Sequence, residues 1–580
     1  MSDALQFAAG WKPAAVEMAA PVPGRLRLVP LGGLGEVGKN MLVVHYGDDV
    51  VVIDCGVMFP LAWMYGVDLV LPNFSYVLQH KSQVRAILLT HGHEDHIGAI
   101  PYLWPHLPDV PVYGTRLTLG LLQNRCVEFG LSDLISCREV KAGDVVAVGQ
   151  LEAEFVHVVH SISDAVAIAV RTPVGLLLHT GDFKFDATSQ GGRDTDVDHL
   201  ARLGKVAVLL SDSTYAERPG QSTSEEVVAR TFQKLFGRCT GRIIITTFAS
   251  SVPRLQQIVD AAVQNNRWLC FHGRSMESSV AVATRLGYLN IPPGRMLTIE
   301  QLEAVPDKEV IIVATGSQGE PLSAIALMAT RRHRWITLRP GDTVIFSATP
   351  IPGNEALVNQ VINQLYRCGV EVVYDMRAKS EDVSHGPGRV HVSGHASRDE
   401  LARMLQVTRP ELLVPVHGEY RMLLHHGRLA EELGIKWRLL EDGQVLELER
   451  DAGELKGEVV GTVPCDHVMV DGASVGDIVS GILRDRTALS EDGVCALGVA
   501  VQRDTKAIVS GPQWWTRGFL RADGQDVLAG AGKVVRENLP PWRDEAGLDA
   551  VRANLKGALG KYFIERVGRR PVLIVVILEV

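Results

Sequence analysis

Four candidate metal ligands crowd into one stretch of this chain, Val84 to Ala99, which reads VRAILLTHGHEDHIGA: His91, His93, Asp95 and His96. Three imidazoles and a carboxylate on one loop offer nitrogen and oxygen donors to borderline divalent ions. His91 and His93 alternate with their neighbours, so both point to one ion, while Asp95 and His96 are offset toward a second position. The plain alternative is a polar surface loop that happens to be rich in histidine.

The element that must carry this loop is the apolar run Ala86–Leu89, which reads as a buried strand. Glycines at 92 and 98 let the backbone turn tightly behind it. Further candidates recur in the same position. Val158-Val159 precedes His160, Leu176–Leu178 precedes His179 and Asp182 in HTGDFKFD, and Glu411–Val416 precedes His417 in VPVHGEYR. A lone histidine such as His160 is more often a satisfied core or surface residue. Its repeated placement at strand ends is what raises it, because such ends converge at one edge of a sheet sandwich.

Residues 25–180 alternate short strands with turns, with a helix over Leu117–Phe129. From about 205 the rhythm changes to six apolar strand-length runs (Val206–Leu210, Arg242–Thr247, Trp268–Phe271, Val310–Ala314, Thr343–Phe346, Val370–Tyr374) separated by helical patterns, Leu322–Arg331 among them. That alternation indicates a doubly wound parallel sheet. The first sheet system resumes at HVSGHAS, with His391 and His395, and at the strand ending in His417. Beyond about 450 the chain is rich in glycine and charge, then forms a small α/β module with strands Ala496–Val501 and Ala507–Ser510 and a last strand over Pro571–Val580.

At 580 residues more than one core is expected. The balance of 46% hydrophobic and 22% charged residues fits an ordinary globular protein, and no apolar stretch reaches the ~20 residues of a membrane span. The N-terminus lacks the basic start and apolar segment of a secretory signal and reads as a mobile tail. Eight scattered cysteines without a C-x-x-C pair fit a reducing compartment, so the expected location is cytoplasmic. A net charge of −9 argues against a protein that coats nucleic acid with its whole surface. It leaves open an enzyme that admits one strand into a metal-lined cleft.

The segments PLGGLGEVGKN, THGHEDHIGA, HTGDFK, AERPG, GRSM, ATGSQGEP, PIPGNE, VSGHAS and VPVHGE together resemble the ribonuclease J family, the β-CASP branch of the metallo-β-lactamase fold. H-x-H-x-D-H alone specifies only the superfamily; the long ordered set is specific to the family. The resemblance implies an αββα sandwich with an inserted doubly wound β-CASP domain and a small C-terminal α/β domain. The expected boundaries are a flexible tail over 1–24, sandwich over 25–212, β-CASP over 213–376, sandwich again over 377–450, a linker over 451–470 and the last domain over 471–580.

It also implies roles. His91, His93 and His160 would hold one divalent ion and Asp95, His96 and His417 another, with Asp182 bridging, the ions being zinc, manganese or both. Such a pair can hold a hydroxide nucleophile and neutralise charge on a phosphodiester. Asp95 and Asp182 would be catalytic through the ions, Asp212 would fix ligand orientation, and His395 would contact the scissile phosphate or protonate the leaving oxygen. Ser393, Gly394, His395, Ala396 and Ser397 would bind substrate, their amides forming a nest for a 5′-monophosphate. The implied activity is 5′→3′ exonucleolytic, with internal cutting as well, in RNA maturation and decay. Implied partners are RNA, a second copy of the chain (dimer or tetramer) through the C-terminal domain, and proteins of RNA degradation. A small-ester or lactam hydrolase on the same fold is the alternative. Three departures stand out: Pro253 where relatives often carry histidine, Tyr215 where asparagine is usual, and a long stretch over Ala378–Gly388.

Overall fold

The computed structural model describes residues 13–61, 63–131, 134–188, 193–351, 353–374, 388–472, 474–476, 480–520, 524–542 and 544–580. Residues 1–12 of the expected tail, and the long stretch up to 387, lie outside them. The chain divides into two units: Met1–Phe59 with Leu69–Met469, and Pro60–Asp68 with Val470–Val580.

Two sheets form the frame of the larger unit. One runs in the order Glu454–Thr462, Gln444–Asp451, Leu26–Gly32, Met41–Tyr46, Asp49–Ile53, Val84–Leu88, Val112–Gly114 and Cys137–Glu139. The other runs Lys436–Trp437, Leu412–Val416, Val206–Asp212, Gly175–His179, Val166–Thr172, Leu151–His157 and Val145–Val148. Their strands are rich in Val, Ile and Leu because both faces are covered. Leu28, Val44, Val51 and Leu88 of the first sheet share one buried cluster with Phe155, Ile168, Leu177, Val208 and Val414 of the second. On the outer face of the second sheet, Leu401, Met404 and Leu429 from the helices Arg398–Thr408 and Tyr420–Glu432 bury Ala167, Leu178 and Leu413. The expected sandwich is therefore present.

Between Asp212 and Leu412 lies a parallel sheet in the order Trp268–His272, Val310–Ala314, Ile243–Thr246, Thr343–Phe346 and Glu371–Tyr374. It has five strands, not six. Val206–Asp212 pairs instead in parallel with Leu412–Val416 of the sandwich, Asp212 opposite Val416. An apolar strand buried on both faces reads alike in either sheet, so the strand–helix rhythm counted it with the insert while the boundary at 212 implied by the resemblance kept it in the sandwich. The expected helix at Leu322–Arg331 is the shorter Ala324–Ala329, with Arg331 turned to φ +57° just beyond it.

Two other expectations are corrected. Residues 13–24 are not a free tail: the Arg27 guanidinium donates to the Ala19 and Ala20 carbonyls, and the Ala14 amide to Ser75 Oγ. Residues 451–470 are not merely a linker, since Glu454–Thr462 forms a hairpin with Gln444–Asp451 around the left-handed pair Ala452 and Gly453. The half-exposed outer strand of a sheet carries alternating polar residues, which is why its composition resembled a linker.

In the smaller unit, Val494–Val501 lies between Ile508–Arg517, antiparallel, and Val572–Glu579, parallel. Leu555, Leu559 and Phe563 of the helix Glu545–Val567 and Val535 of Gln525–Glu537 pack with Leu497, Val499 and Ile577 of this sheet. Among the described residues no helix is long and apolar enough to cross a membrane.

Candidate metal centre

Five strand ends deliver the polar cluster. His91 follows Val84–Leu88, His160 follows Leu151–His157, Asp182 follows Gly175–His179, Asp212 ends Val206–Asp212, and His417 follows Leu412–Val416. His93 precedes a single helical turn, Glu94–Ile97, that carries Asp95 and His96.

Two groups of donor atoms form there and share Asp182. In one, His91 Nε2 and His160 Nε2 stand 3.1 and 3.2 Å from His93 Nδ1, and each is 3.6 Å from Asp182 Oδ2. In the other, His96 Nε2 and His417 Nε2 lie 3.3 and 3.6 Å from Asp182 Oδ2, and 3.7 and 3.5 Å from Asp95 Oδ2. Ligands held about 2.0–2.1 Å from a tetrahedral ion stand roughly 3.3–3.4 Å apart, so both groups have the right dimensions. A third group, of Asp182, Asp212, His395 and His417, overlaps them.

The ring tautomers fit a cation as well. His160 Nδ1 donates to the Gly394 carbonyl at 2.8 Å, and His96 Nδ1 to Asp54 Oδ2 at 2.8 Å. His417 Nδ1 lies 2.8 Å from Thr214 Oγ1, which itself donates to Asp212, and His91 Nδ1 lies 3.0 Å from Thr90 Oγ1, which donates to Asp54. Each ring thus commits its Nδ1 to the protein and turns Nε2 inward, as a lone pair on the neutral His91 and His160 and as the atom a cation would deprotonate on His96 and His417. Asp182 Oδ1 is buried with no hydrogen-bond partner, an arrangement a bound cation relieves.

Electrostatics divides the cluster. Burial pushes His91 and His160 well below the usual imidazole range and His93 down to about 4, so these rings are neutral. Burial acts the same way on His96 and His417 and is the largest single influence, but the surrounding carboxylates together outweigh it and raise both: Asp182, Asp95 and Asp54 around His96, and Asp182, Asp212 and Asp95 around His417. Asp182 responds in kind: burial alone would raise its carboxyl, yet His417 and His96 hold it far below the carboxylate range. Cations must replace those imidazole protons for the second group to coordinate, so ion binding there releases protons. His417 sits at φ +54° and Asp54 at φ +59°, backbone conformations that cost non-glycine residues energy and concentrate at functional sites.

His395 stands apart. Its Nδ1 lies 2.8 Å from Asp212 Oδ2 but 4.0 Å from Asp182, and its side chain is 20% exposed where His417 is 5% exposed. Burial lowers its pKa, but the Asp212 carboxylate more than offsets this and raises it. Tyr215 presents its ring edge-to-face against His395 at 5.9 Å.

The amide nest expected over Gly394–Ser397 is not formed. His395 N donates to Ser393 Oγ, Ala396 N to the Phe183 carbonyl and Ser397 N to Glu400 Oε2. Ser397 and Glu400 make a capping box at the start of Arg398–Thr408, a signal legible as S-x-x-E. Gly394 serves a different need: a Cβ there would lie 2.9 Å from His160 Nδ1. Two histidines singled out by sequence fall outside the donor groups. His179 Nδ1 accepts from the Gly181 amide, and His391 lies half-buried beside Arg254. Conversely, Asp54, Thr90 and Thr214 were not found from sequence. Asp54 is a lone carboxylate whose partners are fixed only by the fold, and although Thr90 and Thr214 also touch their near neighbours His91 and Asp212, their links to Asp54 and His417 span the chain.

Family profiles match successive parts of the chain: the metallo-β-lactamase superfamily over residues 34–190, the ribonuclease J β-CASP domain over 240–365, the Zn-dependent metallo-hydrolase RNA specificity domain over 388–440 and the ribonuclease J C-terminal domain over 481–580. The chain is 36% identical to ribonuclease J2 of Bacillus subtilis over 96% of its length and 99% of that protein's. It is 38% identical to ribonuclease J of Thermus thermophilus, covering 96% of this chain and 95% of that one, and 37% identical to ribonuclease J 1 of Streptococcus pyogenes, covering 96% and 98%. A crystal structure of a protein of unknown function from Enterococcus faecalis shares the fold, with a TM-score of 0.54 at 18% identity over 73% of this chain and 100% of its own. With a divalent-metal centre at the strand ends and near full-length likeness to these proteins, the chain belongs to the ribonuclease J family.

Proposed function

We propose that the chain is a two-metal ribonuclease that trims RNA from its 5′ end, prefers a 5′-monophosphate and also cuts internally. Asp182, shared between two donor groups of matching dimensions, is the observation that carries the two-metal reading. The end preference rests on the likeness to the ribonuclease J family, the amide nest expected for it not being formed. His91, His93 and His160 would hold one ion and Asp95, His96 and His417 the other, zinc or manganese by donor type. Bound there, divalent ions supply positive charge to the phosphate oxygens and acidify water.

The chain's own residues do the rest. Asp212 accepts the Nδ1 proton of His395, fixes the ring and stabilises its charged form. His395 then gives its Nε2 proton to the departing ribose oxygen. Thr214 and Asp54 hold His417 and His96 in the coordinating tautomer. A lactam or small-ester hydrolase would have no use for the five-stranded insert. We place the enzyme in the cytoplasm, on its eight unpaired cysteines. Self-association falls to the smaller unit, whose last strand, Val572–Glu579, is an edge strand exposing Ile574, Val576 and Leu578.

The decisive assay uses 5′-labelled RNA with a mono- or triphosphate end, incubated with zinc, manganese or EDTA. Mononucleotide release from the monophosphate form, faster than from the triphosphate and abolished by EDTA, is expected. Equal rates on both ends would remove the end preference, and no cleavage with either ion would overturn the reading.

A further inference from the structure

The parallel sheet of the insert carries an unusual turn beside the carboxyl end of its outer strand. After the helix Ala324–Ala329 the chain reads Arg331-Arg332-His333-Arg334-Trp335. The His333 ring organises this turn. Its Nδ1 accepts from the Trp335 amide at 3.2 Å and the Ile336 amide at 3.0 Å, so its proton is on Nε2. That proton goes to His272 Nε2, 2.9 Å away, at the last residue of the strand Trp268–His272. On the other side, the Arg332 and His333 amides both donate to the Leu327 carbonyl. The turn is therefore pinned from both sides rather than loosely draped.

What it presents is unspent. Trp335 is 53% exposed, with the Arg334 guanidinium 4.7 Å from its ring centre. Arg331, Arg332, Arg334 and the nearby Arg274 are exposed, and their side chains make no hydrogen bond or ion pair among the described residues. In a chain of net charge −9, where Arg242, Arg254 and Arg339 are all paired with carboxylates, the arginines of this turn and Arg274 just after the strand Trp268–His272 have no carboxylate partner among the described residues. Arg334 lies against the exposed indole, and Glu277, 3.4 Å from His272 Nδ1, is an acidic group at the same strand end. The same carboxyl edge faces the metal centre: Ser251 Oγ, from the loop after Ile243–Thr246, donates to the Ser161 carbonyl beside His160.

We propose that Arg331–Trp335, with Arg274, is a platform for single-stranded RNA, on which Trp335 stacks a base and the guanidiniums bind flanking phosphates. A base has a flat face whatever its sequence, and a phosphate backbone needs cations without a fixed register, so this chemistry suits an enzyme that must hold successive nucleotides. The inference rests on the ribonuclease reading and adds a second contact outside the metal centre.

The test uses the full chain with fluorescently labelled, unstructured RNA of about 30 nucleotides, in EDTA so that binding is read without cleavage. Trp335→Ala is expected to weaken binding about 5- to 20-fold, as loss of one stacked base does, with Trp335→Phe recovering most of it. Replacing Arg331, Arg332 and Arg334 together by alanine should reduce the slope of log affinity against log salt by about 2, at roughly 0.7 per single-strand phosphate contact. Turnover of bis(p-nitrophenyl) phosphate, a phosphodiester with no base to stack, should stay within about twofold in both variants, set against the losses above. RNA affinity unchanged in both variants would overturn the proposal and hand the patch to a protein partner. Equal losses on RNA and on the small diester would also overturn it. Failure of the parent protein to cleave RNA at all would instead sink the ribonuclease reading, and the binding result would still stand on its own.

Discussion

His96 donates its Nδ1 proton to Asp54 Oδ2 across 2.8 Å, and Asp54 in turn accepts from both the amide and the hydroxyl of Thr90. Asp54 touches no other residue of the two donor groups, yet it decides which nitrogen of His96 faces Asp182. In Asp54→Asn an amide group would face the ring proton, or the ring would flip its tautomer and point a proton at the ion. Metal affinity should fall about 10- to 100-fold with the fold intact. Chelator-competition titration with zinc, alongside circular dichroism, reads both quantities, and unchanged affinity would show that Asp54 does not set the tautomer.

That pair also shows where the sequence stopped being legible. His91, His160, Asp182 and His417 could be found because each follows an apolar strand, and strand ends of one sandwich must meet. Asp54 also follows a strand, but a single carboxylate after Val-Val-Ile has no neighbour to betray it. Thr214 is equally silent, since its partner His417 lies 203 positions away. Ser397 was visible but misread: the glycine and serines around it suggested an amide nest, while Glu400 three residues on made it a helix cap. Short-range chemistry could be read directly, whereas a choice between two uses of the same small polar residues needed the fold.

Arg254 is buried against Glu225 at 2.8 Å and also donates to Ser347 Oγ and the Val390 carbonyl. Glu225 is further tied to the loop after Asp182, because its amide donates to Asp186. Arg254→Met would leave the Glu225 carboxylate buried with only Lys184 Nζ at 3.9 Å and the Gln257 side-chain amide at 3.2 Å to compensate it. A loss of about 3–5 kcal/mol in urea-unfolding free energy is expected. A change under 1 kcal/mol would mean that the buried carboxylate finds another partner or takes up a proton.

Acid should weaken the fold through His45. Burial lowers its pKa from 6.5 to about 4, with His80 and Arg27 adding to the effect and the Gly47 carbonyl and Asp48 opposing it. Both ring nitrogens suit the neutral form, Nδ1 facing the Tyr76 hydroxyl and Nε2 the Gly47 carbonyl. Between pH 6.5 and 4 the unfolded chain takes up a proton that the folded chain refuses, so this stability is present above 6.5 and lost on acidification. At about 1.4 kcal/mol per unit, the loss for His45 is about 3–4 kcal/mol. Denaturant midpoints at several pH values should show His45→Gln with a flatter acid limb than the parent. Identical slopes would put the acid sensitivity elsewhere.

The two late histidines should separate cleanly by experiment. His417 is nearly buried at a strained backbone position, with Nε2 toward Asp95 and Asp182, so His417→Ala should lose metal and activity together. His395 keeps a fifth of its side chain exposed, and its Nδ1 is committed to Asp212. It has one nitrogen left, and that nitrogen is free for substrate. His395→Ala should therefore retain its metal while single-turnover cleavage slows by roughly 10²–10⁴-fold, the range for loss of a general acid. A leaving group that needs no proton should recover much of the rate, because the missing step is then bypassed. Metal analysis and single-turnover rates on both variants decide the assignment. Metal loss from His395→Ala would move it among the ligands, in the third donor group it shares with Asp182, Asp212 and His417. Full metal retention in His417→Ala would remove that residue from coordination altogether.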